Sequence, residues 1–242
     1  MKILVVNDDG IMSEGIKALA DFLSIKHDVT VVAPDGNRSA FSHSLSIFKD
    51  IVVKEIKITD KYRTFAMSGT PADCVKFAVH YFKDIKFDLI CSGINKGHNL
   101  GSDTVYSGTI SACLEGNFFG IKGIAFSNYS HSNCDFNANI QTLERVFDKI
   151  VSISSPDYTL NVNFPNGKEN GVKIVPLGIH LYTDNYIKTA EDTYQLVGNP
   201  VEEIEDENCD VAYAKKGFVT VTPIIYNRTA YKILEKFKDF NF

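Results

Sequence analysis

Two carboxylates stand side by side at Asp8 and Asp9, directly after the apolar residues Ile3, Leu4, Val5 and Val6. Like charges this close repel, so the pair is tolerable only if water, helix-terminus amides or a cation offsets it. Two later stretches offer small polar groups: Pro34-Asp35-Gly36-Asn37-Arg38-Ser39-Ala40 and Ser92-Gly93-Ile94-Asn95-Lys96-Gly97-His98-Asn99-Leu100-Gly101. Asp8 and Asp9 together with neutral oxygens from Ser39 and Asn95 make an all-oxygen set. Such a set suits a hard cation, Mg²⁺ or Mn²⁺, better than zinc. A second chemical signal is Val105-Tyr106-Ser107-Gly108-Thr109, which opens a helical pattern with two hydroxyls and a glycine. Backbone donors at a helix start, with Ser107 and Thr109 beside them, form a cradle for phosphate.

Each residue also has a plainer reading. Asn7-Asp8-Asp9-Gly10 fits a turn and cap before a helix at Ser13, Ser39 fits a turn hydroxyl, and Asn95 between two glycines fits a left-handed turn. Ser107 fits an ordinary helix cap. His43 and His98 could move protons, but lone loop histidines read first as exposed side chains. The five cysteines, Cys74, Cys91, Cys113, Cys134 and Cys209, lack the close pairing of zinc or disulfide frameworks and read mostly as small buried hydrophobes. The phosphate loop G-x-x-x-x-G-K-[ST] and the dinucleotide fingerprint G-x-G-x-x-G are both missing from the sequence.

The elements that must position these groups follow from periodicity. Residues 2–6 and 29–33 are short runs rich in β-branched side chains, and Ile16, Leu19, Ala20 and Leu23 lie between them at helical spacing. Thr70-Pro71 predicts a capped helix start, with Val75, Ala78, Val79 and Phe82 on one face. A strand at 87–91, a glycine-rich loop from 93 to 101, a helix from about Ser107 to Gly120 and a strand at 121–127 come next. Ile140, Leu143, Phe147, Ile150 and Val151 mark an amphipathic helix before a strand at 158–163. This alternation predicts an α/β fold, a mostly parallel sheet covered on both faces. Ligands of such sheets bind at the carboxyl ends of the strands, where Asp8 and Asp9 fall.

Two regions interrupt the alternation. Residues 51–58 and 62–67 flank Thr59-Asp60-Lys61 and read as an inserted β-hairpin. After Asn166 come short strands at 172–176, 194–197 and 218–223, an acidic run at 202–207 read as a solvated face, and a terminal helix at 230–237. We therefore expect a catalytic core at 1–166 and a C-terminal β/α extension at 167–242.

Composition limits the alternatives. The 242 residues are 44% hydrophobic and 23% charged with a formal net charge of −5, which argues against a nucleic-acid surface built on excess positive charge. Asp8 and Asp9 interrupt the first apolar run, so a signal peptide or membrane span is not expected and the cytoplasm is the default location.

Six stretches in order make the sequence resemble the SurE family of survival-protein nucleotidases: ILVVNDDG, APDGNRSAFSHSLS, SGTPADCV, SGINKGHNLGSDTVYSGTISACLEG, LNVNFP and GFVTVTP. The resemblance implies a Rossmann-like three-layer core and a metal-dependent phosphatase, a hydrolase of nucleoside 5′- and 3′-monophosphates. It implies one divalent cation per subunit on Asp8, Asp9, Ser39 and Asn95, the four positions assembled above. It also implies a homodimer or homotetramer built with the C-terminal part. His98 and Ser102 occupy positions where members of the family vary, and residues 188–208 match none of its patterns. Under this reading Asp8 and Asp9 are also the catalytic pair, while Asn37, Ser107, Gly108 and Thr109 hold the phosphate oxygens. Two other acidic-pair enzymes fit less well. A haloacid-dehalogenase-type phosphatase needs D-x-D spacing, where this chain has Gly10 and Ile11, and a receiver module is shorter and needs a phosphoacceptor after its third strand.

Overall fold

The computed structural model describes residues 1–201 and 206–240. In chain order it runs β1 (Lys2–Val6), α1 (Glu14–Leu23), β2 (Asp28–Pro34), β3 (Val53–Ile56), β4 (Arg63–Met67), α2 (Pro71–Tyr81), β5 (Leu89–Asn95), α3 (Gly108–Phe118), β6 (Lys122–Asn128), α4 (Phe136–Ser152) and β7 (Thr159–Phe164). There follow β8 (Val172–Ile174), β9 (Asn185–Ala190), β10 (Thr193–Val197), α5 (Asp210–Lys215), β11 (Val219–Ile224) and α6 (Tyr231–Leu234). Nine strands form one sheet in the order β3-β4-β2-β1-β5-β6-β7-β11-β8. The six from β4 to β7 are parallel, β3 is antiparallel to β4, β11 is antiparallel to β7, and β8 runs parallel to β11.

β1 explains why its run is apolar without a break. Ile3 and Val5 pack with Ile16, Leu19, Leu143 and Phe147 under α1 and α4. Leu4 and Val6 face the other way and pack with Val75, Ala78, Ile110 and Cys113 under α2 and α3. Alternate side chains enter opposite layers, so a central strand covered on both faces has no polar position. The start of α2 is specified by the sequence. Thr70 and Asp73 form a reciprocal capping box ahead of Pro71 at the first turn of α2.

Most of the expected elements form, but β9 and α5 have no counterpart in the sequence pattern, the helix expected at 230–237 is reduced to α6 and a following 3₁₀ turn, and three further differences stand out. The inserted hairpin is real, but it is welded to the main sheet: β4 pairs in parallel with β2 from Thr30↔Arg63 to Pro34↔Met67, and only β3 is an antiparallel edge. The loop expected from Gly93 begins later, because β5 runs through Gly93 and Ile94 to Asn95, with its register against β6 shifting between Ser92 and Asn95. Glycine hid this strand end: a Cβ on Gly93 would stand 2.2 Å from the Phe126 carbonyl oxygen. Third, the segment after Asn166 divides. β11 pairs with β7 and β8 with β11, so this part completes the sheet, whereas every residue of β9 is exposed. Four of the six residues of the acidic run, 202–205, lie outside the described residues. Among the described residues no helix is long and apolar enough to cross a membrane.

Candidate functional site

The sheet reverses its winding at β1: the chain passes from β1 to β2 on one side, and β5 flanks β1 on the other. The carboxyl ends of these three strands carry the acidic pair, the 35–40 loop and Asn95. This is where open α/β sheets bind ligands.

Asp8 keeps the parity of Leu4 and Val6 and turns toward α3. It is 4% exposed, and its Oδ1 accepts a 2.6 Å hydrogen bond from the Thr109 hydroxyl. Gly108 makes this approach possible, since a Cβ there would lie 2.9 Å from the Asp8 Cβ and 3.0 Å from its Oδ2. The loops are fixed by backbone bonds: Arg38 N–H donates to Asp8 O at 2.7 Å, and Ile11 N–H to Pro34 O at 2.8 Å. Gly10, at φ 101°, brings its α-carbon so close to Gly36 that a Cβ would meet backbone carbon at 3.0 Å. Asp9 accepts from the backbone N–H of Lys96 at 2.9 Å. Neither carboxylate caps α1. Ser13 is the N-cap residue of that helix, and Asn7 Nδ2 holds the turn by donating to Gly10 O at 2.9 Å and Ser13 Oγ at 2.8 Å.

Burial decides the electrostatics. Desolvation pushes the Asp8 carboxyl up to about 6, the Asp9 charge adds to the rise, and the Thr109 hydroxyl opposes it. The Asp9 carboxyl is also raised by burial, against the Lys96 amide. Among the described residues no lysine, arginine or histidine is ion-paired with either group, although pairs are numerous elsewhere. The protein therefore holds the two acids together with no ion-paired cation, only the longer-range pull of the Lys96 ammonium on Asp9.

The other expected residues are arranged as follows. Asn95 is buried at the end of β5 rather than in a turn, and its Nδ2 donates to Gly97 O at 2.8 Å, which leaves its carbonyl oxygen for a cation. Ser39 is exposed in its loop, and Asn37 Oδ1 accepts from the Ser39 N–H at 2.8 Å, leaving the Asn37 amide nitrogen as a donor. Ser107 does cap α3, accepting from Ile110 N–H at 3.1 Å. Its hydroxyl hydrogen and the first N–H groups of α3 remain donors beside Asp8. The Thr109 hydroxyl is engaged by Asp8, so what Thr109 offers an anion is its backbone position at the helix start. An acidic pair, neutral oxygens and a helix N-terminus fit a hard divalent cation next to a phosphate.

Two histidine expectations are corrected. His43 is 22% exposed at its side chain and pairs with Glu115 at 2.8 Å, and His98 is 12% exposed. His131, His180 and Asp103, which meet around His98, went unread because they come from three separate segments. Cys74, Cys91, Cys113 and Cys209 are buried as expected, with burial raising the Cys74, Cys91 and Cys113 thiols.

Fold and site together define an α/β protein with an acidic, oxygen-rich cluster at the switch point of a mostly parallel sheet. A family model described as Survival protein SurE matches residues 3–184. The chain is 38% identical to the 5′-nucleotidase SurE of Thermoanaerobacter sp. (strain X514), over 97% of this chain and 96% of that protein. It is 40% identical to the 5′-nucleotidase SurE of Petrotoga mobilis, over 98% of each. A crystal structure of the SurE protein from Aquifex aeolicus superposes with a TM-score of 0.85 at 34% identity, covering 98% of both chains. The chain belongs to the SurE family.

Proposed function

We propose that this protein is a metal-dependent phosphoric monoester hydrolase, a 5′-nucleotidase that converts nucleoside 5′- and 3′-monophosphates to nucleoside and phosphate. The observation that carries the reading is the desolvated Asp8–Asp9 pair with no protein cation ion-paired to it, beside Asn95 and the start of α3. Asp8, Asp9, Ser39 and Asn95 would hold one Mg²⁺ or Mn²⁺ through oxygen alone. When bound, the cation supplies Lewis-acid charge to the phosphate and helps to activate water.

The chain's own residues do the rest. Thr109 fixes the Asp8 carboxylate for ligation, and Lys96 N–H does the same for Asp9. Asp9, which the hydrogen-bond pattern leaves one oxygen free, orients the attacking water and accepts its proton. Asn37 Nδ2, the Ser107 hydroxyl and the N–H groups of Gly108 and Thr109 bind the non-bridging oxygens. Charge stabilisation of this kind must supply most of the barrier reduction, because uncatalysed phosphate-monoester hydrolysis is extremely slow. Neutral ligands at Ser39 and Asn95 limit repulsion of the incoming dianion.

On the same reading, residues 1–166 are the catalytic core and 167–242 an extension that builds a homodimer or homotetramer. Tyr186, Tyr194 and Leu196 on the β9–β10 hairpin are each more than half exposed, as are Phe237 and Phe240 near the end, and a partner subunit would cover them. The protein would act in the cytoplasm without a membrane or a stable nucleic-acid partner. Phosphate release from a panel of 5′- and 3′-nucleotides, with chelator and with Mg²⁺ or Mn²⁺ restored, tests the activity.

A further inference from the structure

Three residues past Asn95 a different donor set assembles. His98, Asp103 and His180 each place a ligating atom within 4.8 Å of the others. Asp103 Oδ2 lies 2.7 Å from His180 Nδ1 and 3.8 Å from His98 Nδ1, and it accepts from the Tyr182 hydroxyl at 2.9 Å. We infer that this cluster is a second cation site, one for a borderline transition-metal dication of the Zn²⁺ class and distinct from the carboxylate site.

Three observations support this. First, His98 Nδ1 is buried and has no hydrogen-bond partner, although it faces a carboxylate. Buried imidazole nitrogens ordinarily find a partner, and a cation would serve as one. Second, ligands about 2.0–2.1 Å from a tetrahedral metal stand about 3.4 Å apart, so the 3.8 Å gap is too long for a hydrogen bond and close to the span across a shared metal. Third, the cluster is braced. The buried Asp210 carboxylate accepts from Gly101 N–H at 2.9 Å and Gly178 N–H at 2.7 Å, which locks the two segments bearing Asp103 and His180 together. Ser102 ties to the His180 backbone on the same seam. Two imidazoles and one carboxylate favour Zn²⁺, Co²⁺ or Ni²⁺ over Mg²⁺.

The alternative is a plain hydrogen-bonded latch of Asp103, His180 and Tyr182, and it leaves His98 without a role. The untagged full chain, saturated with Mg²⁺, is titrated with Co²⁺ and followed by visible absorption and equilibrium dialysis. We expect one Co²⁺ per chain, with the visible bands of a four- or five-coordinate site, displaced by Zn²⁺. His98→Ala removes no protein hydrogen bond through Nδ1, so it should fold normally and still lose at least tenfold in Co²⁺ affinity. His180→Gln should lose as much, and Asp8→Asn should keep the site. Absence of Co²⁺ binding, binding unchanged in folded His98→Ala, or binding abolished by Asp8→Asn overturns the inference. Retention in Asp8→Asn separates this result from any failure of the nucleotidase reading.

Discussion

Two buried acids of this molecule sit at similar depth and behave oppositely. Asp8 is 4% exposed and Glu115 3% exposed. Glu115 is met by Lys76 at 2.7 Å and His43 at 2.8 Å, and these two partners draw its carboxyl below the usual range despite burial. Asp8 meets Asp9 and a hydroxyl, and its carboxyl rises to about 6. Desolvation is common to both; the difference is whether the fold encodes the countercharge. Glu115 is a completed structural joint between α3, α2 and the loop bearing His43. Asp8 and the partly buried Asp9 lack such a joint, and on the proposed reading an external cation completes it.

Neutralising one member of the incomplete pair should have the largest effect. Asp8→Asn and Asp9→Asn keep nearly the same volume, so the fold should persist while steady-state kcat/KM falls by roughly 10²–10³-fold, the scale of losing a key electrostatic contact. A variant with normal metal-dependent turnover would return the pair to a turn. Metal-free stability should move the other way. The folded carboxyl of Asp8 titrates above its unfolded value of 3.8, so its contribution is complete below about pH 4 and is lost as pH rises through about 6. That loss is of the order of 3 kcal/mol. Denaturant titrations of the metal-free protein should show this decline for the parent chain and a flatter profile for Asp8→Asn.

Glu115→Gln attacks the completed joint and should give the converse pattern. It leaves His43 and Lys76 without their anion, at a cost of about 1–3 kcal/mol in denaturant titration, while the Mg²⁺ concentration for half-maximal activity stays put. A shift in that concentration without loss of stability would erase the contrast between the two sites.

How much of this was legible in the sequence depends on distance along the chain. Asp8 and Asp9 are adjacent, and strand parity with Leu4 and Val6 fixes the side on which Asp8 emerges, so local pattern sufficed. Asn95 was legible by chemistry but not by conformation, because Gly93 reads as a loop breaker where the backbone needs space against Phe126. The Glu115–His43 pair spans 72 residues and the His180–Asp103 pair 77, and no periodicity links such positions. β4 read as part of a local hairpin because β3 is near in sequence, whereas its parallel partner β2 is a non-local pairing. The C-terminal helix was legible from its apolar residues, but not that these would lie exposed in a single chain.

Smaller effects sharpen the boundary between site and scaffold. Thr109→Val removes the 2.6 Å bond to Asp8 and should raise the Mg²⁺ requirement several-fold, read from activity against free metal. Ser107→Ala loses a cap worth about 0.5–2 kcal/mol, and if Ser107 also holds phosphate the nucleotide KM should rise well below the melting temperature. A lowered melting point with unchanged kinetics would leave Ser107 as a cap only. Light scattering of the intact chain at micromolar concentration should give the mass of a dimer or tetramer, and a strictly monomeric mass would remove the assembly reading alone.

The most direct test of the central claim is phosphate release from nucleoside monophosphates after exhaustive chelation. The countercharge missing at Asp8 and Asp9 predicts turnover near background in chelator and full recovery when Mg²⁺ or Mn²⁺ is restored. Undiminished turnover in the metal-free protein would contradict it.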